Sequence, residues 1–205
     1  ELFFKLSKII DFNETKRKRL IKRIKKRKRW EPIIISDNLT WPEFSKINLF
    51  LHEMQGVKPV VALSRKYYED GSSSHIVGYV ASTSVADLEN SALLREINVP
   101  GLKTGKNGLE KLLNNEIIGR PGVQRFEVNA FGKRIKELKL VKGIEGENFR
   151  ITIDQEVQKF TNGLLKDKSG SVCVMDIYTG DLVSLVSSPT FNPNKFVHGI
   201  SEKDW

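Results

Sequence analysis

The 205-residue sequence contains one cysteine, three histidines and no long apolar run. Because Cys173 has no second cysteine to pair with, the fold cannot depend on an intramolecular disulfide. No stretch of about 18 consecutive apolar residues exists, so we predict no membrane-spanning helix within this sequence. The first residues lack the pattern of a signal peptide. They begin within a helical pattern, and we therefore expect the chain to be a piece of a longer protein.

The histidines lie far apart in the sequence. His52, His75 and His198 have no cysteine or carboxylate at the spacing of metal ligands. We therefore expect each of them to be a surface or structural residue. The sequence also contains no phosphate-binding loop and no dinucleotide fingerprint. These absences predict that the chain holds neither a metal nor a cofactor.

Positive charge is abundant, but it is concentrated at one end of the chain. Residues 1–30 contain 13 Lys/Arg and 3 Asp/Glu, whereas the other 175 residues contain 21 and 22. Eleven of the fourteen positions in 16–29 are Lys or Arg. Such a cluster is typical of a surface that binds nucleic acid or an anionic membrane. It is also typical of a solvated helix face, which the lack of interleaved aromatic residues favours.

The hydrophobic pattern predicts alternating helices and strands. Thr40, followed by Pro42 and Glu43, predicts a capped helix start, and Gly56 its end. Other helices are predicted over 1–29 with a break at 11–13, over 85–97 and over 109–117. A further helix is predicted after a cap at Thr152 or Asp154. Strands are predicted over 31–35, 57–63, 75–80, 123–129, 133–140, 149–153, 172–177 and 182–186.

The hairpin of strands 172–177 and 182–186 is apolar on both faces, which predicts a sheet covered on both sides. Val172, Val174 and Leu185 are expected to pack against helices, one of which buries Val157, Phe160 and Leu164. Cys173 is predicted to be a small buried hydrophobe. Asp176, which precedes the turn, is predicted to bind turn amides. The polar Gly/Glu stretch 143–148 is the expected domain boundary, and we expect the chain to stop within the second domain.

Two tripeptides match motifs of penicillin-recognising enzymes: Ser36-Asp37-Asn38 and Lys103-Thr104-Gly105. That chemistry also requires Ser-x-x-Lys, because helical spacing then places the lysine amine beside the serine hydroxyl. No serine in the sequence has lysine three residues later. The first tripeptide lies in a predicted turn and the second in a predicted Pro/Gly loop. We therefore predict that neither is catalytic, and that the chain contains no catalytic, cofactor or metal residue.

Several longer segments together resemble class B penicillin-binding proteins, and the elongation type more than the division type. The sequence resembles the entry into the family's transpeptidase domain over 143–158, 170–189 and 191–201. The ending Phe196-Val-His-Gly-Ile-Ser-Glu-Lys-Asp-Trp205 is similar to the elongation enzymes. The sequence resembles the family's non-catalytic pedestal in three segments: Gly105-Lys-Asn-Gly-Leu-Glu-Lys111, Phe126-Glu-Val-Asn-Ala-Phe-Gly132, and 67–80.

The resemblance implies an α+β fold in two parts. Residues 1–148 would form an elongated pedestal of the penicillin-binding protein dimerisation type, with a head-like part at 1–82 and a linker and hairpin part at 83–148. Residues 149–205 would begin the α/β transpeptidase domain. The membrane anchor, the first pedestal motif and the catalytic Ser-x-x-Lys, expected a few tens of residues beyond Trp205, are missing. Where the family has Leu-Arg-Gly, this sequence has Ile117-Ile118-Gly119, so Arg120 is a candidate to replace the family arginine beside Glu110.

The implied function is a bacterial D,D-transpeptidase anchored in the inner membrane and facing the periplasm. Its serine would be acylated by the peptidoglycan stem peptide or by β-lactams, through the missing part. The pedestal would contact the membrane glycosyltransferase and the rod-shape scaffold protein, and no nucleic acid. The alternative is a non-enzymatic module that binds nucleic acid or anionic membrane through 16–29. The first hypothesis predicts that this chain alone forms no covalent adduct with penicillin.

Overall fold

The computed structural model describes residues 2–11, 14–26, 32–129 and 134–200. The chain divides into two compact units, one formed by Glu1–Leu63 with Val128–Arg134, the other by Ser64–Glu127 with Ile135–Trp205. Within the described residues, every helix is too short or too polar to cross a bilayer. Mixed helix and small two-stranded sheets confirm the α+β prediction.

The N-terminal part of the first unit is helical. It contains helices α1 (Leu2–Ser7), α2 (Glu14–Lys26) and α3 (Trp41–Leu49), followed by a 3-10 helix (Leu51–Glu53). Thr40 caps the start of α3, and its amide donates to the Glu43 carboxylate at 2.7 Å, which confirms the predicted start. The predicted end at Gly56 is wrong, because α3 ends at Leu49. The buried core of the unit consists of Leu6, Ile10, Ile47 and Met54.

The second unit combines short helices with paired strands. Its helices are α4 (Ser74–Val77), α5 (Val85–Asn90), α6 (Ala92–Ile97), α7 (Gly108–Leu112), α8 (Asn114–Ile117), α9 (Gln155–Leu164) and α10 (Asn194–Val197). Strand β1 (Val80–Ser82) pairs antiparallel with β2 (Lys103–Gly105), and β5 (Gly170–Met175) pairs antiparallel with β6 (Leu182–Ser188). A further pair joins β3 (Val123–Val128) to β4 (Arg134–Val141).

The hairpins are confirmed, but four predicted strands are wrong. Residues 32–35, 57–63 and 149–153 form no strand in the described structure, and residue 31 lies outside it. Apolar and β-branched residues favour extended backbone, but a β-strand also needs a second strand to pair with through backbone hydrogen bonds. Over 75–80 the chain forms α4 and then β1, because Gly71 and Gly78, with φ of 67° and 76°, bracket a helical turn.

The apolar stripe predicted for α9 is also wrong. Phe160 and Leu164 are 68% and 60% exposed, whereas Gln158 and Thr161 are buried. The helix packs on β6 through its polar face, because β6 offers hydrogen-bond partners there.

The hairpin β5–β6 differs from its prediction in burial. Cys173 is exposed, not buried, and Val174 and Leu185 are 37% and 36% exposed. The buried residues of β6 are Ser184 and Val186. The prediction for Asp176 is confirmed, since its carboxylate accepts from the amides of the next turn at 2.7 and 3.0 Å, which lowers its pKa.

The polar stretch 143–148 has no helix or strand, but it is held in place. Arg120 and Ile144 exchange two backbone hydrogen bonds of 2.8 Å, and the Glu147 amide donates to Glu116 O. The stretch therefore packs against residues that precede it in the second unit. The domain division at residue 148 stays a prediction.

Candidate functional site

Polar side chains of the second unit converge around Tyr67. The Tyr67 amide donates to Asn194 Oδ1 at 2.9 Å, and Asn194 Nδ2 donates to Tyr67 O at 3.0 Å. This reciprocal pair fixes the segment before α4 to the start of α10. We call Tyr67, Glu110 and Asn194 the Tyr67 joint.

The Tyr67 hydroxyl connects the joint to α7. It donates to Glu110 Oε1 at 2.9 Å and accepts from the Val80 amide at 3.1 Å. Burial raises the pKa of Tyr67, and the nearby Glu110 carboxylate raises it further. Glu110 is itself buried and contacts Arg65 Nε at 3.1 Å. The hydroxyl therefore stays protonated, and the buried carboxylate has a donor and a cation.

Arg120 does not take the place proposed for it. Its guanidinium lies 3.5 Å from Glu96, on an exposed pair, whereas the cation beside Glu110 is Arg65. The sequence offered no signal for this pairing, because Arg65 lies 45 residues before Glu110. The segment 64–68 therefore supplies both the hydroxyl and the cation that pair with Glu110.

Gln158 forms a second polar contact point, between α9, β6 and the loop before α4. It is fully buried. Its amide nitrogen donates to Ser72 O at 2.8 Å and to Leu185 O at 2.7 Å. Its amide oxygen accepts from Ser184 Oγ at 2.9 Å and from the Leu185 amide at 2.8 Å. All four hydrogen-bonding positions of the side chain are thus used.

Three glycines allow the backbones around the joint to approach closely. A Cβ at Gly78 would overlap Asn107 O, and one at Gly105 would overlap Glu110 O. Gly108 has a φ of 59°, and a Cβ added there would lie only 2.5 Å from Ile76 O. A larger residue at Gly78 or Gly108 would move the loop before α7 away from α4, and one at Gly105 would move β2 away from α7.

Aromatic rings cover the same region from the α10 side. Tyr79 stacks on Phe196 with centroids 4.2 Å apart, and Phe191 lies edge-on to both. His75 contacts Phe191 edge-on, and its Nε2 lies 3.0 Å from Pro189 O. His75 is thus part of the packing.

The two tripeptides singled out in the sequence are held in separate local structures. Ser36-Asp37-Asn38 belongs to the first unit, where Ser36 Oγ donates to Asp37 O at 3.4 Å. Lys103-Thr104-Gly105 belongs to the second unit and forms β2, so its predicted position in a loop is wrong. The loop prediction was wrong because nearby Pro and Gly residues are typical of loops, and the sequence gives no sign that this segment pairs with β1. That neither tripeptide is catalytic stays a prediction.

Buried Thr104 lies beside an ion pair that stabilises β2. Lys106 Nζ donates to Asp87 Oδ2, and Thr104 Oγ1 lies 3.5 Å from the same oxygen. Burial acts to raise the pKa of Asp87, but hydrogen bonds from Lys106 and Ser84 outweigh it and lower the pKa to about 2. Lys103 Nζ lies 3.3 Å from His198 Nδ1. These contacts hold β2 in place.

Within the part of the chain that the structure describes, no three His, Cys, Asp or Glu side chains converge as metal ligands. His52 lies 3.7 Å from Glu53, on an exposed pair. A polar cavity of about 420 Å³ lies at the end of α9, lined by residues that include Asn162, Lys166 and Ser188. The chemistry available around the joint is hydrogen bonding and ion pairing, which positions one segment against another.

Comparison with known proteins gives these contacts a family context. Residues 1–151 match the family model described as the penicillin-binding protein dimerisation domain. The chain is 29% identical to peptidoglycan D,D-transpeptidase MrdA of Salmonella typhimurium over its whole length, covering 33% of that protein. It is 32% identical to MrdA of Escherichia coli, over 86% of this chain and 28% of that one.

Solved structures agree with these sequence matches. The chain aligns with a complex between penicillin-binding protein PBP2 and MreC from Helicobacter pylori with a TM-score of 0.68 and 29% identity, covering 82% of this chain and 30% of that one. It aligns with PBP2 from Helicobacter pylori with a TM-score of 0.56 and 28% identity, covering 79% and 31%. The chain thus spans about a third of the length of the relatives it matches.

Proposed function

Since this chain belongs to the penicillin-binding protein dimerisation-domain family, we propose that it forms part of a peptidoglycan D,D-transpeptidase of cell-wall elongation. It resembles PBP2-type class B enzymes over its whole length, and curated relatives with that activity align with all or most of it. We further propose that 1–148 is the non-catalytic pedestal and that 149–205 begins the transpeptidase domain.

The observation that carries the proposal is the Tyr67 joint. Tyr67 and Glu110 lie before the proposed boundary, and Asn194 lies after it. Gln158 repeats the arrangement, since it links Ser72 to β6. Hydrogen bonds at partly or fully buried side chains hold the segments they join in a fixed geometry. A pedestal fixed in this way can orient the domain that follows it.

In the whole protein, a serine outside this chain would attack the D-Ala-D-Ala end of a stem peptide, release D-alanine and form an acyl-enzyme. An amine of a neighbouring stem peptide would then accept the acyl group. β-Lactams would acylate the same serine. In this proposal the residues of this chain position the reacting domain, and none of them touches the reacting atoms.

The proposed partner of the pedestal is a rod-shape scaffold protein. This proposal is supported by the solved complex of a PBP2 with MreC, which aligns with this chain. A membrane glycosyltransferase is the second proposed partner, and the periplasmic side of the inner membrane is the proposed location. Nothing in the comparisons favours the alternative, a non-enzymatic basic module.

The test compares Tyr67→Phe with Tyr68→Phe in the full-length protein. Tyr68 is the matched control, because it is 63% exposed. Tyr67→Phe removes the acceptor of the Val80 amide and the hydroxyl that donates to the buried Glu110, which keeps only Arg65. We therefore expect it to lower stability by about 1–3 kcal/mol. We also expect slower peptide cross-linking with acylation by penicillin retained.

The readouts are thermal unfolding, labelled penicillin and cross-linked product. If the two variants cross-link peptides at the same rate, the joint has no positioning role. If the wild-type full-length protein is not labelled by penicillin at all, the assignment to this enzyme class is wrong.

A further inference from the structure

Helix α2 carries far more positive charge than its surroundings neutralise. Residues 14–26 contain eight Lys/Arg and one acidic residue, Glu14. Three of the cations have local partners: Lys18 lies 3.8 Å from Glu14, Lys16 lies 3.8 Å from Asp11, and Arg17 lies over the Phe3 ring. Among the described residues the other cations of α2 have no acidic partner, so their charge is available to a partner from outside the chain.

That remaining charge forms one connected patch. Within the described residues, no acidic side chain pairs with the exposed cations Arg19, Lys22, Arg23 and Lys25. They recur at spacings of three and four, which places like charges side by side on a helix and destabilises it. A polyanion that binds the patch removes this repulsion. We call these four residues the α2 patch.

The apolar residues of α2 indicate how such a partner would bind. Leu20 is 4% exposed, so the apolar side of the helix is occupied within the protein, and Ile24 is 45% exposed. A helix that inserts into a bilayer needs a free apolar face with aromatic or leucine side chains. Helix α2 has no aromatic residue. Binding would therefore be electrostatic and peripheral, without base stacking and without insertion.

We propose that the α2 patch is a docking surface for an anionic phospholipid bilayer. The choice of a bilayer over a nucleic acid rests on the proposed function, because a cell-wall transpeptidase works at a membrane surface. Several exposed cations on one side of a helix also suit the headgroup phosphates of a bilayer surface. Each cation near an anionic surface strengthens binding by about fivefold.

The test measures binding of the 205-residue chain to vesicles of phosphatidylcholine with about one-third phosphatidylglycerol. The test variant is Arg19→Gln, Lys22→Gln, Arg23→Gln. The matched control removes three exposed cations elsewhere, Lys136→Gln, Lys139→Gln, Lys142→Gln, with the same change in net charge. We expect the test variant to bind about a hundredfold more weakly than wild type, and the control about as well as wild type. Raising the salt from about 50 to about 200 mM should weaken wild-type binding steeply.

Equal losses in both variants, or no wild-type binding at low salt, would overturn the proposal. Tighter binding to duplex DNA than to these vesicles at equal salt would also overturn it, in favour of a nucleic acid. If the triple variant fails to fold, the double variant Lys22→Gln, Lys25→Gln replaces it, and we expect its vesicle affinity to fall about 25-fold. Vesicle binding by this chain requires no transpeptidase activity, so its failure is distinguishable from failure of the proposed function.

Discussion

Gln158 shows how a single side chain can hold three parts of the chain together. We predict that Gln158→Leu lowers the free energy of unfolding by roughly 3 kcal/mol or more, because Ser72 O and both backbone groups of Leu185 lose their partner in a buried place. Urea unfolding followed by circular dichroism measures the loss. Lys159→Ala, at an exposed position of the same helix, is the control and should change stability by less than about 0.5 kcal/mol. Similar results for both variants would contradict this role.

Asp87 makes stability depend on pH in a defined window. Its pKa is lowered to about 2 from an ordinary value of 3.8, so the folded state binds its proton less readily than the unfolded state. The stabilisation is present above pH 3.8 and is lost as the pH falls towards 2. We expect Asp87→Asn to be less stable than wild type at pH 7 by about 1–2 kcal/mol, with the difference shrinking below pH 4.

The measurement is urea unfolding of both proteins across this pH range. Glu89→Gln, an exposed position of α5, serves as the control and should follow the wild-type curve. A difference between Asp87→Asn and wild type that stays constant from pH 7 to pH 2 would refute the assignment.

At this scale, the sequence predicts residues whose partners are close in the chain. Asp176 and Glu43 bond groups two or three positions away, so turn and cap patterns identified them. Gln158 and Glu110 bond groups 86 and 43 residues away, and no local pattern contains that information. Glutamine in a helix is typical of an exposed position, which is why the buried face of α9 was predicted wrongly.

At the scale of elements, the approach of α4 to the loop before α7 depends on glycine. We predict that Gly78→Ala lowers stability by at least about 3 kcal/mol, because a Cβ there would overlap Asn107 O and the φ of 76° disfavours other residues. Gly163→Ala is the matched control. It lies in α9 with no atom within 4 Å of an added Cβ, so it should raise stability by about 0.5–1 kcal/mol. Thermal unfolding of both variants is sufficient, and a mild effect at Gly78 would refute the close approach.

Elements were predictable where their partner is adjacent in sequence. The hairpin β5–β6 and the pair β3–β4 were found because a short turn separates their strands. The pair β1–β2 was missed, because Val80 and its partner Gly105 are separated by two helices. The stretch 57–63 has strand composition but no strand beside it within the described residues, so composition alone was misleading.

At the scale of the whole molecule, the sequence predicts that this chain does not react with penicillin. No serine is followed by lysine three positions later, so no serine hydroxyl has a lysine amine at the Ser-x-x-Lys spacing. We expect the 205-residue chain incubated with fluorescent penicillin to show no label on a denaturing gel and no added mass. A stable adduct at Ser36 would show that the tripeptides are catalytic after all.

Family membership was predictable for a different reason than the fold. Several separate segments, such as 143–158 and 170–189, carry the resemblance together, and matches over the whole chain agree with it. The Tyr67 joint could not be predicted in this way, since Arg65 replaces the cation expected from the family pattern. The class of protein was therefore clearer from the sequence than the contacts that hold it together.

The reciprocal bonds between Tyr67 and Asn194 also set an order for folding during synthesis. The two residues are separated by 127 positions. At about 5–20 residues per second, a ribosome takes roughly 6–25 s to make the second after the first. During that interval the Tyr67 backbone lacks its hydrogen bonds to the Asn194 side chain. For part of it, Ser72 O also lacks its hydrogen bond from Gln158. The second unit is therefore complete only after Asn194 has been made, whereas the residues of α1, α2 and α3 are made first.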